Sequence, residues 1–245
     1  MATGLLLIHA FPLDASMWEP QVKGLGISLP IVAPDLPGFG SAPSTASVTT
    51  MDAMADACAS AVRAAGLDRA IVCGLSMGGY VALAMRRNHR DLVAGLVLAN
   101  TRAGADDEAG RGRRADLAAR LRAEGNGFLV ESPPPLLSAG APPALLARVK
   151  RIIAVQPAEG IAAASLGMGA RVDSSDLLPG LDIPAMVITS SGDTLIPPAA
   201  TQVTADAIPG CDFRTIEGAG HLSNLEAPEA FNALIREFVA RRADW

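Results

Sequence analysis

The fold is decided by the stretch Ala70-Ile71-Val72-Cys73-Gly74-Leu75-Ser76-Met77-Gly78-Gly79. Its apolar first half predicts a buried strand over residues 70–74, and the pattern that follows predicts a helix over 78–87. A serine with a glycine two places before it and another two places after it fits a sharp strand-to-helix turn, which strains the serine backbone and leaves room only for small neighbours. Such a turn lifts the hydroxyl above the sheet and places the amide of Met77 at a helix N-terminus, where a negative oxygen is stabilised. Ser76 is therefore a candidate nucleophile, and the alternative is a glycine-rich turn with a passive serine.

Short apolar runs alternate with amphipathic stretches along most of the chain. The predicted strands cover residues 5–8, 31–33, 70–74, 92–99, 185–189 and 212–216. The predicted helices cover residues 50–65, 78–87, 199–207 and 228–241, with a solvated tail over 241–245. Strands that alternate with helices in this way predict the α/β class, with a mostly parallel sheet of about six strands flanked by helices on both faces.

Residues 101–178 break the alternation, because they contain no convincing buried strand. Helical stretches are predicted there at 106–124, 144–155 and 157–169, with a proline cluster at 133–135. We interpret 101–178 as a helical cap over the carboxyl edge of the sheet, inserted before the strand at 185–189. The core then consists of residues 1–100 and 179–245. The alternative is that these helices pack against the side of the sheet.

A histidine and an aspartate follow two of the late strands. His221 ends the loop Gly218-Ala219-Gly220-His221, and histidine titrates in the range that a base for a serine hydroxyl requires. Asp193 comes directly after the strand at 185–189, where its carboxylate can hold the imidazole in one tautomer. The carboxyl ends of parallel strands share one edge of the sheet, so we expect both side chains near Ser76. The alternatives are a structural loop histidine and an ordinary Gly-Asp turn.

Several further motifs accompany these residues. They are 9–14 (HAFPLD), 17–21 (MWEPQ), 35–40 (DLPGFG), the turn at Ser76, Gly192-Asp193 and Gly220-His221. Together they resemble the α/β-hydrolase superfamily, and most closely its small esterases, enol-lactonases and cofactor-free haloperoxidase-like members. The order Ser76, Asp193, His221 along the chain is also that of this superfamily. The resemblance implies the α/β-hydrolase fold, no cofactor, and a helical cap before the strand of the acid.

The same resemblance implies a role for the loop after the first strand. The backbone amide of Phe11 would be the second oxyanion-hole donor beside that of Met77, and His9 would brace the loop. The superfamily usually has His-Gly here, whereas this chain has Ala10. Pocket-facing residues of the cap are expected to be apolar. The candidates are Phe128, Leu129, Leu136, Leu137, Leu166 and Met168.

Composition excludes several other function classes. The formal net charge is −5, from 20 basic and 25 acidic residues, so nothing favours nucleic acid or an anionic membrane as a partner. Three cysteines without a CxxC pair and three histidines give little support for a metal site. No apolar run approaches the roughly 20 residues of a membrane span, and the N-terminus lacks a signal-peptide pattern. We therefore expect a cytoplasmic protein without a metal.

These expectations combine into a serine hydrolase that cleaves a small-molecule carboxylic ester or lactone through an acyl-enzyme. A serine at the turn argues against epoxide hydrolases and haloalkane dehalogenases, which resemble this fold but use a carboxylate there. C–C bond hydrolysis, thioester hydrolysis, perhydrolysis and a cyclising tailoring reaction stay open, as does a non-catalytic ligand receptor of the same fold. The natural substrate and the oligomeric state are also open.

Overall fold

Six strands form one parallel sheet in the computed structural model, which describes residues 1–44 and 46–241. The strands are β1 (Thr3–Ile8), β2 (Ile31–Val32), β3 (Arg69–Leu75), β4 (Val93–Ala99), β5 (Ala185–Ser190) and β6 (Asp212–Ile216), in the spatial order β2-β1-β3-β4-β5-β6. Every neighbouring pair is parallel, so the predicted α/β fold with a sheet of about six strands is confirmed. Of the predicted solvated tail, residues 242–245 lie outside the described residues.

Strand register brings the functional segments to one edge of the sheet. Ile8 is level with Gly74, Gly74 with Leu98, and Ala99 with Ile188. Because the strands run in parallel, the residues that follow β1, β3, β4 and β5 emerge side by side at the carboxyl edge. That edge is where ligands bind in open α/β sheets.

Ten α-helices are found in the described part of the chain. They are α1 (Glu19–Gly24), α2 (Met51–Ala64), α3 (Met77–Asn88), α4 (Glu108–Glu124), α5 (Gly127–Glu131), α6 (Pro143–Ala154), α7 (Ala158–Gly169), α8 (Pro198–Asp206), α9 (Ser223–Glu226) and α10 (Pro228–Ala240). The hydroxyl of Thr50 accepts a hydrogen bond from the amide of Ala53 at 3.1 Å and caps α2. Helix α3 is buried from Met77 to Arg86, so it forms part of the core.

Helices α4 to α7 all lie between β4 and β5, so the predicted helical insertion before the strand at 185–189 is confirmed, and we refer to it as the cap. Helix α7 packs on the core so closely that backbone touches backbone. A side chain at Gly160 would overlap the carbonyl of Gly38, and the amide of Thr49 donates a hydrogen bond to the carbonyl of Ala163 at 3.0 Å. The cap is therefore fixed to the core along α7.

None of the helices in residues 1–44 and 46–241 is long and apolar enough to cross a membrane by itself. Helices α6 and α7 meet that criterion only when taken together, and they are bent by 95° where they join.

Candidate active site

Ser76 sits in a strained backbone conformation between β3 and α3. Its φ is 56° and its ψ is −114°, a region that residues other than glycine rarely adopt. Residues at the carboxyl end of β4 hold it there. Its amide donates to the carbonyl of Ala99 at 2.9 Å, and its carbonyl accepts from the hydroxyl of Thr101 at 2.8 Å. The side chain is partly exposed, so the hydroxyl is accessible at the edge of the sheet.

The glycines around Ser76 are required by close backbone approaches. A side chain on Gly74 would overlap the backbone of Gly78, which closes the turn. A side chain on Gly78 would overlap the carbonyls of Ile8 and His9. The start of α3 is thus pressed against the end of β1, and this contact brings the loop after β1 beside the nucleophile candidate.

His221 and Asp193 are joined directly. Nδ1 of His221 lies 2.8 Å from Oδ2 of Asp193, and both side chains are buried. The other carboxylate oxygen of Asp193 accepts hydrogen bonds from the amides of Leu195 at 2.9 Å and Ile196 at 3.0 Å. Burial raises the pKa of Asp193. The hydrogen bonds and the charge of His221 lower it by more, so the pKa lies below the ordinary value. Asp193 is therefore an ionised acceptor that can hold a proton on Nδ1 of His221 in a hydrogen bond.

One cavity of about 420 Å³ is lined by both Ser76 and His221. Phe11 also lines it, as do apolar residues from two loops. The apolar residues include Pro134, Leu136, Leu195, Ile196 and Pro197. The volume lies in the range of small-molecule sites, so a compact organic substrate would fit beside the hydroxyl of Ser76.

The two residues predicted to supply oxyanion donors both lie at the site of Ser76. Phe11 lines the cavity, and Met77 is the first residue of α3. His9 lies behind them and is buried. Its Nε2 accepts a hydrogen bond from the amide of Leu36 at 3.0 Å, and its Nδ1 lies 3.1 Å from the carbonyl of Ala10. Burial lowers the pKa of His9, so the ring is neutral and braces the loop, as the resemblance implied.

The six predicted pocket residues of the cap divide into two groups. Leu136 and Met168 line the cavity that contains Ser76. The other four do not line this cavity. Phe128 lies under the guanidinium of Arg120, Leu129 is buried, Leu166 packs on the core, and Leu137 lines a separate groove beside the proline cluster.

Asn100 was not predicted as a site residue, although it binds the carboxylate of Asp193. It follows β4 with a φ of 47° and is fully buried. Its side-chain amide donates to Oδ2 of Asp193 at 3.0 Å and to the hydroxyl of Ser190 at 2.9 Å, and its Oδ1 accepts from Ser223 at 2.8 Å. The available signal was its position: it directly follows a buried strand at the edge where the other site residues emerge.

Four charged or polar cavity residues also escaped prediction, together with Tyr80. They are Arg102, Asp106, Arg113 and Arg114. Arg102 and Asp106 lie between β4 and α4, whereas Arg113 and Arg114 belong to α4, whose charge pattern is that of a solvated helix. Which of its side chains turn inward depends on how α4 packs on α7, and sequence periodicity does not determine that.

Cys58 and Cys73 offer no alternative nucleophile. Cys58 and Cys73 are fully buried, and burial raises the pKa of both thiols, to about 12 for Cys58. A buried thiol with a raised pKa forms little thiolate and is inert. In residues 1–44 and 46–241, no group of three or more His, Cys, Asp and Glu side chains is arranged to hold a metal ion.

Known proteins resemble this chain along nearly its whole length. A family profile described as "Alpha/beta hydrolase family" matches residues 5–234. The chain is similar to a thermophilic esterase from Thermogutta terrifontis, solved with malate bound, at 40% identity and a TM-score of 0.93, over 98% of this chain and 91% of that one. It is 28% identical to a pimeloyl-(acyl-carrier protein) methyl ester esterase of Neisseria meningitidis, over 95% of this chain and 75% of the relative. It is 27% identical to 3-oxoadipate enol-lactonase 1 of Acinetobacter baylyi, over 97% of this chain and 89% of the relative.

Proposed function

The chain belongs to the alpha/beta hydrolase family, and we propose that it is a serine hydrolase that cleaves a carboxylic ester or a lactone through an acyl-enzyme. The family resemblance expected from the motifs is thereby confirmed, and the named esterase and enol-lactonase relatives support ester hydrolysis. One observation carries the finer proposal: the strained Ser76 shares a cavity with His221, whose Nδ1 is hydrogen-bonded to the buried Asp193.

Acylation begins with proton transfer from the hydroxyl of Ser76 to Nε2 of His221. The serine oxygen attacks the carbonyl carbon of the ester or lactone, and the carbonyl oxygen becomes negative. Asp193 stabilises the imidazolium that forms, because its ionised carboxylate accepts the Nδ1 proton in a hydrogen bond. His221 then donates its Nε2 proton to the leaving alkoxide, the C–O bond breaks, and an acyl-Ser76 ester remains.

The negative oxygen of the tetrahedral intermediate requires donors that are already oriented. The backbone amides of Phe11 and Met77 would supply them. The close packing of Gly78 on the end of β1 supports this assignment, because it holds the loop containing Phe11 beside the start of α3. Losing one such donor costs about 10²–10³ in rate.

Deacylation repeats these steps with water. His221 removes a proton from a water molecule, the hydroxide attacks the acyl carbon, and the bond to the oxygen of Ser76 breaks. The serine oxygen recovers the proton from His221, and the carboxylic acid product is released. Serine and histidine are regenerated, and neither step requires a cofactor.

Two measurements test the proposal. The protein is incubated with a fluorophosphonate probe, and the modified peptide is identified by mass spectrometry. Turnover of p-nitrophenyl acetate and butyrate is measured in parallel. We expect the label on Ser76, and in Ser76→Ala we expect the label to be absent and the turnover lost. Ser60→Ala on the exposed face of α2 is the matched control and should label and turn over like the wild type.

Labelling at another residue, or wild-type turnover in Ser76→Ala, would overturn the assignment of the nucleophile. A wild-type protein that neither labels nor hydrolyses either ester would instead support the non-catalytic receptor. The cytoplasmic location stays a prediction.

A further inference from the structure

One side of the cavity that contains Ser76 is rich in guanidinium groups. Arg102, Arg113 and Arg114 line it, and Asp106 is the one carboxylate among the described lining residues. Three positive groups against one negative group leave a formal excess of two positive charges. The family assignment does not account for this charge, because attack by Ser76 on a neutral ester requires none of it.

Asp106 is already shared among several of these arginines. It is buried and forms ion pairs with Arg102, with Nε of Arg114 at 3.3 Å, and with Nη2 of the buried Arg171 at 2.9 Å. Burial raises the pKa of Asp106, but these arginines lower it to a net value of about 2, so the carboxylate stays ionised. Its single charge cannot also neutralise Arg113.

Arg113 has no partner of its own. In residues 1–44 and 46–241, no carboxylate lies within ion-pair distance of its guanidinium, and it makes no hydrogen bond to another described residue. Asp116, one turn further along α4, is exposed and does not reach it. An exposed arginine that lines the cavity of the nucleophile is therefore available to a ligand.

We propose that this arginine side of the cavity binds an ionised carboxylate carried by the ester or lactone substrate, with Arg113 as the specificity-determining residue. The inference rests on the proposed function and deepens it by naming the substrate class: a small ester or lactone with a second, free carboxylate. The planar guanidinium matches a carboxylate with two parallel hydrogen bonds. The apolar residues of the cavity, among them Leu136 and Leu195, would contact the hydrocarbon part of the substrate.

The test compares two substrates of nearly equal shape. Monomethyl glutarate carries a free carboxylate, and methyl 5-amino-5-oxopentanoate carries an uncharged amide in its place. The readout is the ratio of kcat/KM for the acid to kcat/KM for the amide. We expect the wild type to prefer the acid by about ten-fold or more, since a hydrogen-bonded charged pair contributes at about that level. The preference should weaken as ionic strength rises.

Variants assign the preference to one residue. Arg113→Gln should reduce the ratio about ten-fold, chiefly through a higher KM for the acid, and Arg113→Lys should restore part of it. The matched control is Arg151→Gln, which removes one exposed cap arginine that does not line the cavity. Its ratio should equal that of the wild type.

A binding measurement separates this inference from the proposed function. Glutarate is titrated into the wild type, Arg113→Gln and Arg151→Gln by calorimetry, which needs no turnover. Binding that Arg113→Gln weakens about ten-fold supports the inference even if no ester is hydrolysed. Equal hydrolysis of the two esters by a wild type that is active on p-nitrophenyl acetate overturns the inference and leaves the proposed function intact. An unchanged ratio in Arg113→Gln overturns the assignment to that residue.

Discussion

Nη2 of Arg171 lies 2.9 Å from Oδ1 of Asp106, and both side chains are only 3% exposed. This buried ion pair joins the segment after α7 to the segment before α4. Arg171 also donates hydrogen bonds to the carbonyls of Gly104 at 2.7 Å and Met168 at 2.8 Å. The pair therefore fixes α4 and its arginines relative to the rest of the cap.

Removing the carboxylate of this pair should destabilise the protein in a pH-dependent way. Asp106→Asn leaves the buried Arg171 without its counter-charge, and we expect a loss of about 3 kcal/mol of unfolding free energy at pH 7. The folded pKa of Asp106, about 2, lies below the ordinary value near 3.8, so its stabilisation is present above the unfolded pKa and is lost as the pH falls through the folded one. Urea denaturation should show the difference from wild type narrowing from pH 5 toward pH 2. Asp116→Asn on the exposed face of α4 should show no such difference, and a constant gap for Asp106→Asn would contradict the prediction.

The carboxylate of Asp193 should matter for rate far more than for substrate binding. Asp193→Asn keeps the shape of the side chain but can no longer hold the proton on Nδ1 of His221 with a negative acceptor. We expect kcat for p-nitrophenyl acetate to fall about 10³–10⁴-fold, with little change in KM. The exposed Asp176 provides the control, because Asp176→Asn should be as active as the wild type. A loss of less than ten-fold in Asp193→Asn would remove Asp193 from the proposed mechanism.

Replacing Asn100 should show that it supports the carboxylate of Asp193. Asn100→Asp tolerates the positive φ but places a second carboxylate against Asp193, which raises the folded pKa of the pair. When the folded pKa of a carboxyl is raised, the folded state loses stability as the pH rises above the unfolded pKa. The loss of unfolding free energy relative to wild type should therefore grow from pH 4 to pH 8. It should reach about 3 kcal/mol. Asn100→Gly only removes the donor and should cost about 2 kcal/mol, with a weaker pH dependence. Equal losses at all pH values in Asn100→Asp would mean that the two side chains do not interact.

Close packing of α7 on the core should make one methyl group costly. The side chain of Gly160→Ala would overlap the carbonyl of Gly38, whose own φ of 94° leaves it little freedom to move. We expect a loss of about 2 kcal/mol from this overpacking. Gly112→Ala on the exposed side of α4 meets no neighbouring atom and should gain about 0.5 kcal/mol from reduced backbone freedom in the unfolded chain. Urea midpoints of the two variants should therefore move in opposite directions.

Much of the fold was predictable because buried strands leave a strong pattern. Strand β6 has the predicted bounds of 212–216, and β3 extends the predicted 70–74 by one residue at each end. The helices that were missed, α1, α5 and α9, have only four to six residues, which is too short to show a helical period. Prediction was therefore strongest where burial forces a long apolar run.

The site was predictable where it depends on strand ends and less so where it depends on packing. Ser76 and Asp193 follow predicted strands, and the parallel topology brings such residues to one edge. Asn100 has the same kind of position, but a lone asparagine carries no motif. Arg113 could not be selected, because the sequence of α4 shows many charged residues and no preferred buried face. Its position at the cavity follows from the contact of α4 with α7, which only the structure supplies.

Three consecutive residues, the last of β4 and the two that follow it, hold two separate parts of the candidate site. Ala99 and Thr101 bind the backbone of Ser76 from both sides, while Asn100 between them binds the carboxylate of Asp193. Any displacement of this tripeptide would move Ser76 and the carboxylate of Asp193 in the same direction. A shift at the end of β4 would then leave the distance between Ser76 and Asp193 nearly constant. Substitutions in this tripeptide should alter the positions of both residues together.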